Sequence, residues 1–107
     1  MFQNIDNRQF RELMKRPNTV VMDVRTPKEV AEGFIAQATV FADVNDNGTF
    51  DAVLQKLDKT KNYLVYCRSG ARSSKACRMM EERGFKGHLY NLAMGITGWD
   101  GEKKTKS

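Results

Sequence analysis

The segment Cys67-Arg68-Ser69-Gly70-Ala71-Arg72 has the residue types and spacing for thiolate chemistry. It follows an apolar run, Tyr63-Leu64-Val65-Tyr66, and precedes a stretch of helical periodicity from Ser73 to Arg83. A cysteine at the end of a buried strand, followed by a short glycine-containing loop and a helix start, is an arrangement that activates a thiol. Backbone N–H groups of the loop converge on the sulfur, and the helix N-terminus adds partial positive charge. With arginine nearby, these groups lower a thiol pKa below its free value of about 8.5. Gly70 can adopt a positive φ and bring its N–H close to the sulfur. The Ser73 hydroxyl can hydrogen-bond the thiolate or cap the helix. Arg72 opposes the helix dipole, so its place needs a reason: an anion to bind and a thiolate to support, or an ordinary ion pair. Arg68 reaches at most the rim, and Ser69 and Gly70 contribute mostly through their backbone.

The rest of the composition narrows the chemistry. The chain has 107 residues, 40% of them hydrophobic, enough for the core of one domain. No apolar run approaches the roughly 20 residues of a membrane-spanning helix. The N-terminus, Met1-Phe2-Gln3-Asn4-Ile5, lacks the pattern of a signal peptide, which gives the expectation of a cytoplasmic protein that binds no membrane. The two cysteines, Cys67 and Cys77, make no disulfide framework, and with the single His88 they make no four-ligand zinc site. No metal or cofactor is expected. Cys77 shares a helical stripe with Ser73, Ala76 and Met80 and reads as a small core residue. Of the net charge of +5, the last seven residues hold +2. The other basic residues are interspersed with acids, which describes a solvated surface rather than a nucleic-acid site, though such a domain suits a small anion.

The elements that must position the loop follow from caps and periodicity. Asp6 and Gln9 form a capping box, with Ile5 and Phe10 as a hydrophobic staple. Phe10, Leu13 and Met14 give that helix its inner face, and Pro17-Asn18 ends it. Val20 to Val24 reads as a parallel strand covered on both faces. Thr26-Pro27-Lys28-Glu29 starts a second helix, with Gly33 at its end. Arg25 and Glu29, four apart, read as a structural pair. Ala38 to Phe41 is a strand and Asp43 to Gly48 a polar loop. Phe50, Val53, Leu54 and Leu57 mark a third helix. The helix from Ser73 stops at Gly84, His88 to Leu92 is the last strand, and Met94 to Asp100 is a turn carrying Trp99 in the core or pocket wall. Strands alternating with helices predict an α/β domain with a mainly parallel central sheet over residues 1–100. Residues 101–107 are expected to form a flexible charged tail. Ligands of such sheets bind outside the carboxyl ends of the strands, where Cys67 falls.

From about Val20 to Trp99 the sequence resembles the rhodanese family of sulfurtransferases, in its small single-domain form. Cys67-Arg68-Ser69-Gly70-Ala71-Arg72-Ser73 resembles the active-site loop of that family. Asp23-Val24-Arg25 with Glu29 resembles its first signature, and Gly84-Phe85, Leu92 and Gly95-Ile96 with Trp99 resemble its C-terminal signature. The resemblance implies a three-layer domain. It further implies that Cys67 takes a sulfane sulfur from a small anionic donor such as thiosulfate, as a persulfide, and passes it to cyanide or a thiol acceptor. That acceptor includes the thiol of a thioredoxin-like or other sulfur-acceptor protein. The implied site is Cys67 as nucleophile, with Arg68, Ser69, Gly70, Ala71, Arg72 and Ser73 around the substrate. Two stretches depart from the family pattern. Phe34 to Val40 lacks the His, Gly and Asn of the family's run after the second helix, and Met94 replaces the first glycine of the C-terminal pair.

Two other functions compete. Cysteine-dependent phosphatases and arsenate reductases cradle a tetrahedral oxyanion in a loop one residue longer between Cys and Arg. Four residues separate Cys67 from Arg72 here, a smaller cradle that favours sulfur. A rhodanese-like binding module without catalysis commonly lacks the cysteine. The intact loop argues against that role and leaves open a persulfide carrier or regulatory module.

Overall fold

Asp6 accepts from the Gln9 backbone N–H at 2.8 Å, and the Gln9 side chain accepts from the Asp6 N–H at 3.0 Å. The first helix, α1 (Asn7–Leu13), therefore starts at the expected capping box. A second such box, between Thr26 and Glu29, starts α2 (Pro27–Glu32), which Gly33 ends. These contacts are those of a computed structural model that describes residues 1–105. The other helices are α3 (Asn47–Lys56) and α4 (Ala71–Glu82), with a 3-10 turn at Ile96–Gly98. No helix among the described residues is long and apolar enough to cross a membrane.

Five parallel strands form the sheet: β1 (Gln3–Ile5), β2 (Thr19–Asp23), β4 (Ala38–Phe41), β5 (Asn62–Tyr66) and β6 (Leu89–Leu92), in the order β1-β6-β5-β2-β4. Side chains alternate across it with the two-residue period of a strand. Tyr63, Val65 and Cys67 point to the face covered by Phe50 and Leu54 of α3 and by Ala76, Cys77 and Met80 of α4. Leu64 and Tyr66 point to the other face, with Phe10 of α1, Val30 of α2, Ile96 and Trp99. The result is the three-layer α/β arrangement expected from the sequence. The central strands read as continuous apolar runs because both faces are buried.

Three short strands escaped the sequence analysis. β1 has three residues, of which only Ile5 is buried, too few for an alternating pattern to register. The others are β3 (Phe34–Ile35) and β7 (Lys103–Lys104), which pair antiparallel with each other. β7 corrects the expectation of a free tail from Gly101. Ala36 N–H donates to the Glu102 carbonyl at 3.0 Å, and so does the Trp99 indole at 3.3 Å. The chain thus closes over the buried indole and supplies the backbone partners that β3 lacks. Lys106 and Ser107 of the expected tail lie outside the described residues. His88 precedes β6 and is exposed, its N–H bonded to Asn62 Oδ1 at 2.8 Å.

At the carboxyl ends of β2 and β5, Asp23 and Tyr66 are register partners and belong to one buried polar network. Arg25 holds Asp23 through both carboxylate oxygens, with Nη2 to Oδ2 at 2.8 Å, and reaches the Gly33 carbonyl at 2.6 Å. Tyr66 donates its hydroxyl to Asp23 Oδ2 at 2.6 Å and accepts the Ile35 N–H at 3.0 Å. Burial first, then the neighbouring Asp23 carboxylate, push the Tyr66 hydroxyl well above its usual range, so it stays a donor. Tyr66→Phe removes the donor to Asp23 and orphans the Ile35 N–H. A destabilisation of roughly 1–3 kcal/mol is expected in urea unfolding. A change under half of one kcal/mol would show that water replaces the hydroxyl at this site.

Candidate active site

Cys67 directly follows β5, and its side chain is 1% exposed. The chain then bends through Arg68 and Ser69, both exposed, to Gly70 at the N-cap of α4. The helix begins at Ala71, two residues before the expected start, so Arg72 and Ser73 both lie in its first turn.

Two close approaches set the loop's curvature. Gly70 has φ +101°, and a side chain there would put a Cβ 2.3 Å from the Ala93 carbonyl oxygen. Gly95 has φ +67°, and its Cβ would lie 2.1 Å from the Arg68 carbonyl oxygen. Both positions need glycine for conformation and for space. The turn after β6 also takes the loop's carbonyls: Ile96 N–H donates to Cys67 O at 2.9 Å, and the Thr97 N–H and hydroxyl donate to Arg68 O at 3.2 and 2.9 Å. With its carbonyls held outward, the loop presents N–H groups to the sulfur. Met94, which departs from the family pattern, is 66% exposed.

The sulfur sits at the centre of this arrangement. Gly70 N–H donates to Cys67 Sγ at 3.1 Å, and the Ser73 hydroxyl lies 3.3 Å from it. Burial pushes the thiol up and is the largest single influence on it. The Ser73 hydroxyl and the N–H groups of Ser73, Ser69 and Gly70 together outweigh burial, so the thiol lies below its ordinary value. For Cys77, burial without such donors pushes the thiol up to about 12. Cys77 is fully buried in the core beneath α4, the place its stripe predicts.

Arg25 is placed differently from the sequence expectation, while Arg72 takes the ion pair that was one of its two readings. Arg25 does not pair with Glu29 but is committed to Asp23. Glu29 instead accepts both arms of Arg72, at 2.7 and 2.9 Å. This bidentate pair ties α2 to the first turn of α4 and offsets the unfavourable placement of a cation there. Arg72 remains within electrostatic reach of Cys67 and Asp43. Beside the pair opens a cleft of about 340 Å³, lined by Arg25, Glu29, Arg68, Ile96, Thr97 and Lys103 among others. Among the described residues, no group of three or more His, Cys, Asp or Glu gathers to hold a metal ion.

Two residues around the thiol escaped the sequence reading. Glu29 was read as a capping-box residue and the partner of Arg25, not as the partner of Arg72. Asn91, 2% exposed, touches Ser73 Oγ through Oδ1 and donates through Nδ2 to Gly70 O at 3.2 Å and Asn4 Oδ1 at 2.9 Å. The available signal was a lone amide in an otherwise apolar strand.

Hydrogen bonds from Arg72 foremost hold the Glu29 carboxyl down at about 2. A carboxyl with a lowered folded-state pKa stabilises the fold above its unfolded value of about 4.3. That stability is lost as pH falls toward 2. In thermal unfolding, the deficit of Glu29→Gln relative to wild type should be full at pH 7, shrink below pH 4.5 and vanish near pH 2. A deficit independent of pH would deny the ion pair its role.

Residues 6–102 match the family described as Rhodanese-like domain. YtwF of Bacillus subtilis is 40% identical over 87 residues, 81% of this chain and 79% of that protein. The thiosulfate sulfurtransferase GlpE of Coxiella burnetii is 30% identical over 105 residues, covering 98% of this chain and 94% of its own. A tRNA uridine(34) hydroxylase of Pelagibacter ubique is 36% identical over 93 residues, 87% of this chain and 30% of that longer protein. The crystal structure of a rhodanese-like domain protein from Staphylococcus aureus aligns with a TM-score of 0.83 at 26% identity, over 99% of this chain and 100% of that one. The family match runs from the cap of the first helix to the carbonyl that closes over Trp99, and the chain belongs to the rhodanese-like domain family.

Proposed function

We propose that the protein is a sulfurtransferase that carries a sulfane sulfur on Cys67 as a persulfide, from thiosulfate or a related anionic donor to cyanide or a thiol acceptor. The observation that carries this reading is a buried thiol whose hydrogen-bond donors outweigh its desolvation, in a loop with four residues between Cys67 and Arg72. The Cys67 thiolate attacks the outer sulfur of thiosulfate. The S–S bond of the donor breaks with its electron pair going to the departing sulfite, and the enzyme keeps a persulfide anion. Cyanide or an acceptor thiolate then attacks the terminal sulfur. The bond to Sγ breaks, and the charge returns to Cys67. Two easier displacements replace one difficult transfer, and Gly70 N–H and Ser73 receive Sγ each time it regains charge.

Arg72 is the cation for the anionic donor. Its fork already carries Glu29, so the donor shares it rather than filling it. A phosphate needs more converging donors than this short loop offers, which is the reason for preferring sulfur over the phosphatase reading. GlpE, the relative named as a thiosulfate sulfurtransferase, supports the same class of reaction. The hydroxylase relative shares only this segment of its length and carries no weight for the reaction.

Intact mass after incubation with thiosulfate should rise by one sulfur atom, mapped to Cys67. Cys67→Ser should abolish thiosulfate–cyanide transfer, and Cys77→Ala should keep most of it. Sulfur mapped to Cys77, or vigorous aryl phosphate hydrolysis by the wild type, would overturn the reading.

Arg72→Ala removes a charge-assisted contact and leaves Glu29 uncompensated beside the donor. A loss of roughly ten- to hundredfold in kcat/KM is expected, partly recovered in Arg72→Ala/Glu29→Gln. No recovery in the double variant would mean that Glu29 does not act on the donor.

A further inference from the structure

We propose that Asn91 is a positioning residue for the reactive thiol: its carboxamide oxygen competes with the Cys67 sulfur for the single hydroxyl proton of Ser73, and so sets how readily the thiol ionises. A serine hydroxyl has one proton to donate. Ser73, fully buried on α4, has two acceptors against its oxygen, Cys67 Sγ at 3.3 Å and Asn91 Oδ1. The orientation of the Asn91 amide follows from its contact with Gly70. Gly70 O can only accept, so the atom 3.2 Å from it is the Nδ2 donor. The oxygen then faces Ser73, where no other contact in this network supplies a proton.

Two states follow. With Cys67 protonated, the S–H donates to Ser73 Oγ and the Ser73 O–H donates to Asn91 Oδ1, and every group is satisfied. With Cys67 ionised, the Ser73 proton turns toward sulfur, and Asn91 Oδ1 is left against an oxygen lone pair in a buried site. An unpaired buried acceptor is costly, so Asn91 opposes the ionisation that the loop N–H groups favour.

This matters for the proposed reaction, and its functional meaning rests on that reading. A less acidic thiol is the stronger nucleophile once ionised, and the best attacking thiol has a pKa near ambient pH. While Cys67 carries the outer sulfur, Sγ is neutral and the Ser73 hydroxyl donates to Asn91 Oδ1. When the acceptor takes the outer sulfur, charge returns to Sγ and the same proton turns back to it. No proton leaves the trio in either direction.

Ionisable groups reach the site from several surrounding elements. Its own loop and α4 supply Arg68, Arg72 and Cys77, with Arg72 held by Glu29 of α2 and Cys77 kept neutral by burial. At the end of β2, Asp23 and Arg25 pair with each other. Asp43 follows β4 within reach of Arg72, and on α3 Asp46 caps the helix while Asp51 pairs with Arg83. These groups are the same in every variant below.

The test is the rate of Cys67 alkylation by iodoacetamide against pH, followed on the Cys67 peptide of the full chain. It reads ionisation, not sulfur transfer, so it stays decisive if the proposed activity fails. In Asn91→Leu the midpoint should fall by roughly 0.4–1 pH unit, the size of one net hydrogen bond. A merely loosened loop would lose N–H donors and raise it. Ser73→Ala and Ser73→Ala/Asn91→Leu should share one midpoint, because Asn91 acts through Ser73. An unchanged or raised midpoint in Asn91→Leu overturns the proposal, as does a double variant that keeps the fall. If Asn91→Leu does not fold, Asn91→Asp decides. Its midpoint should rise, and by less when Ser73 is also Ala. A rise of equal size without Ser73, or no rise, overturns the proposal.

Discussion

The carboxylate of Asp23, wholly buried at the end of the second strand, is the constraint from which the active-site geometry descends. A buried charge must be paired and hydrogen-bonded, and removing one partner of such a pair typically costs about 3–5 kcal/mol. Asp23 therefore claims Arg25, which in turn takes the Gly33 carbonyl, and it claims the Tyr66 hydroxyl, which takes the Ile35 N–H. These bonds fix the turn between α2 and β3 against the central sheet. They also decide the partner of Glu29. With Arg25 committed, the carboxylate of Glu29 is left to Arg72, and α2 becomes the wall that holds the first turn of the helix after Cys67.

The loop itself is held from both sides. On one side Glu29 grips Arg72. On the other, Gly95 lies close against Arg68, and Ile96 and Thr97 take the carbonyls of Cys67 and Arg68. Neither contact touches the sulfur. Together they turn the N–H groups inward, so the environment of a thiol that burial alone would make inert favours its anion. The contrast with Cys77 makes the point. Both thiols are buried, yet only the one with converging donors is lowered, and the other is raised to about 12.

The sequence was legible where the signal is local. Both capping boxes formed between the residues that announced them. The continuous apolar runs became doubly covered strands, and Cys77 lies in the core where its helical stripe put it. The legibility failed for short strands and for side-chain partners. Two-residue strands such as Phe34–Ile35 and Lys103–Lys104 have no periodicity. They exist because two distant segments each have backbone groups to satisfy, and Lys103 and Lys104 looked like a solvated tail for the same reason.

By itself the sequence determined that a cysteine closes a buried strand and opens a helix through a short glycine loop, and that the domain alternates strands with helices. Those are statements about neighbours in the chain, where propensity, caps and period suffice. Only the tertiary structure decided which carboxylate each arginine meets, which turn holds the loop's carbonyls, and that Asn91 shares the hydroxyl of Ser73. Each of those is a choice among several chemically equivalent partners. Burial decides it, by making one unpaired group more costly than another, and burial depends on where the distant strands come to lie.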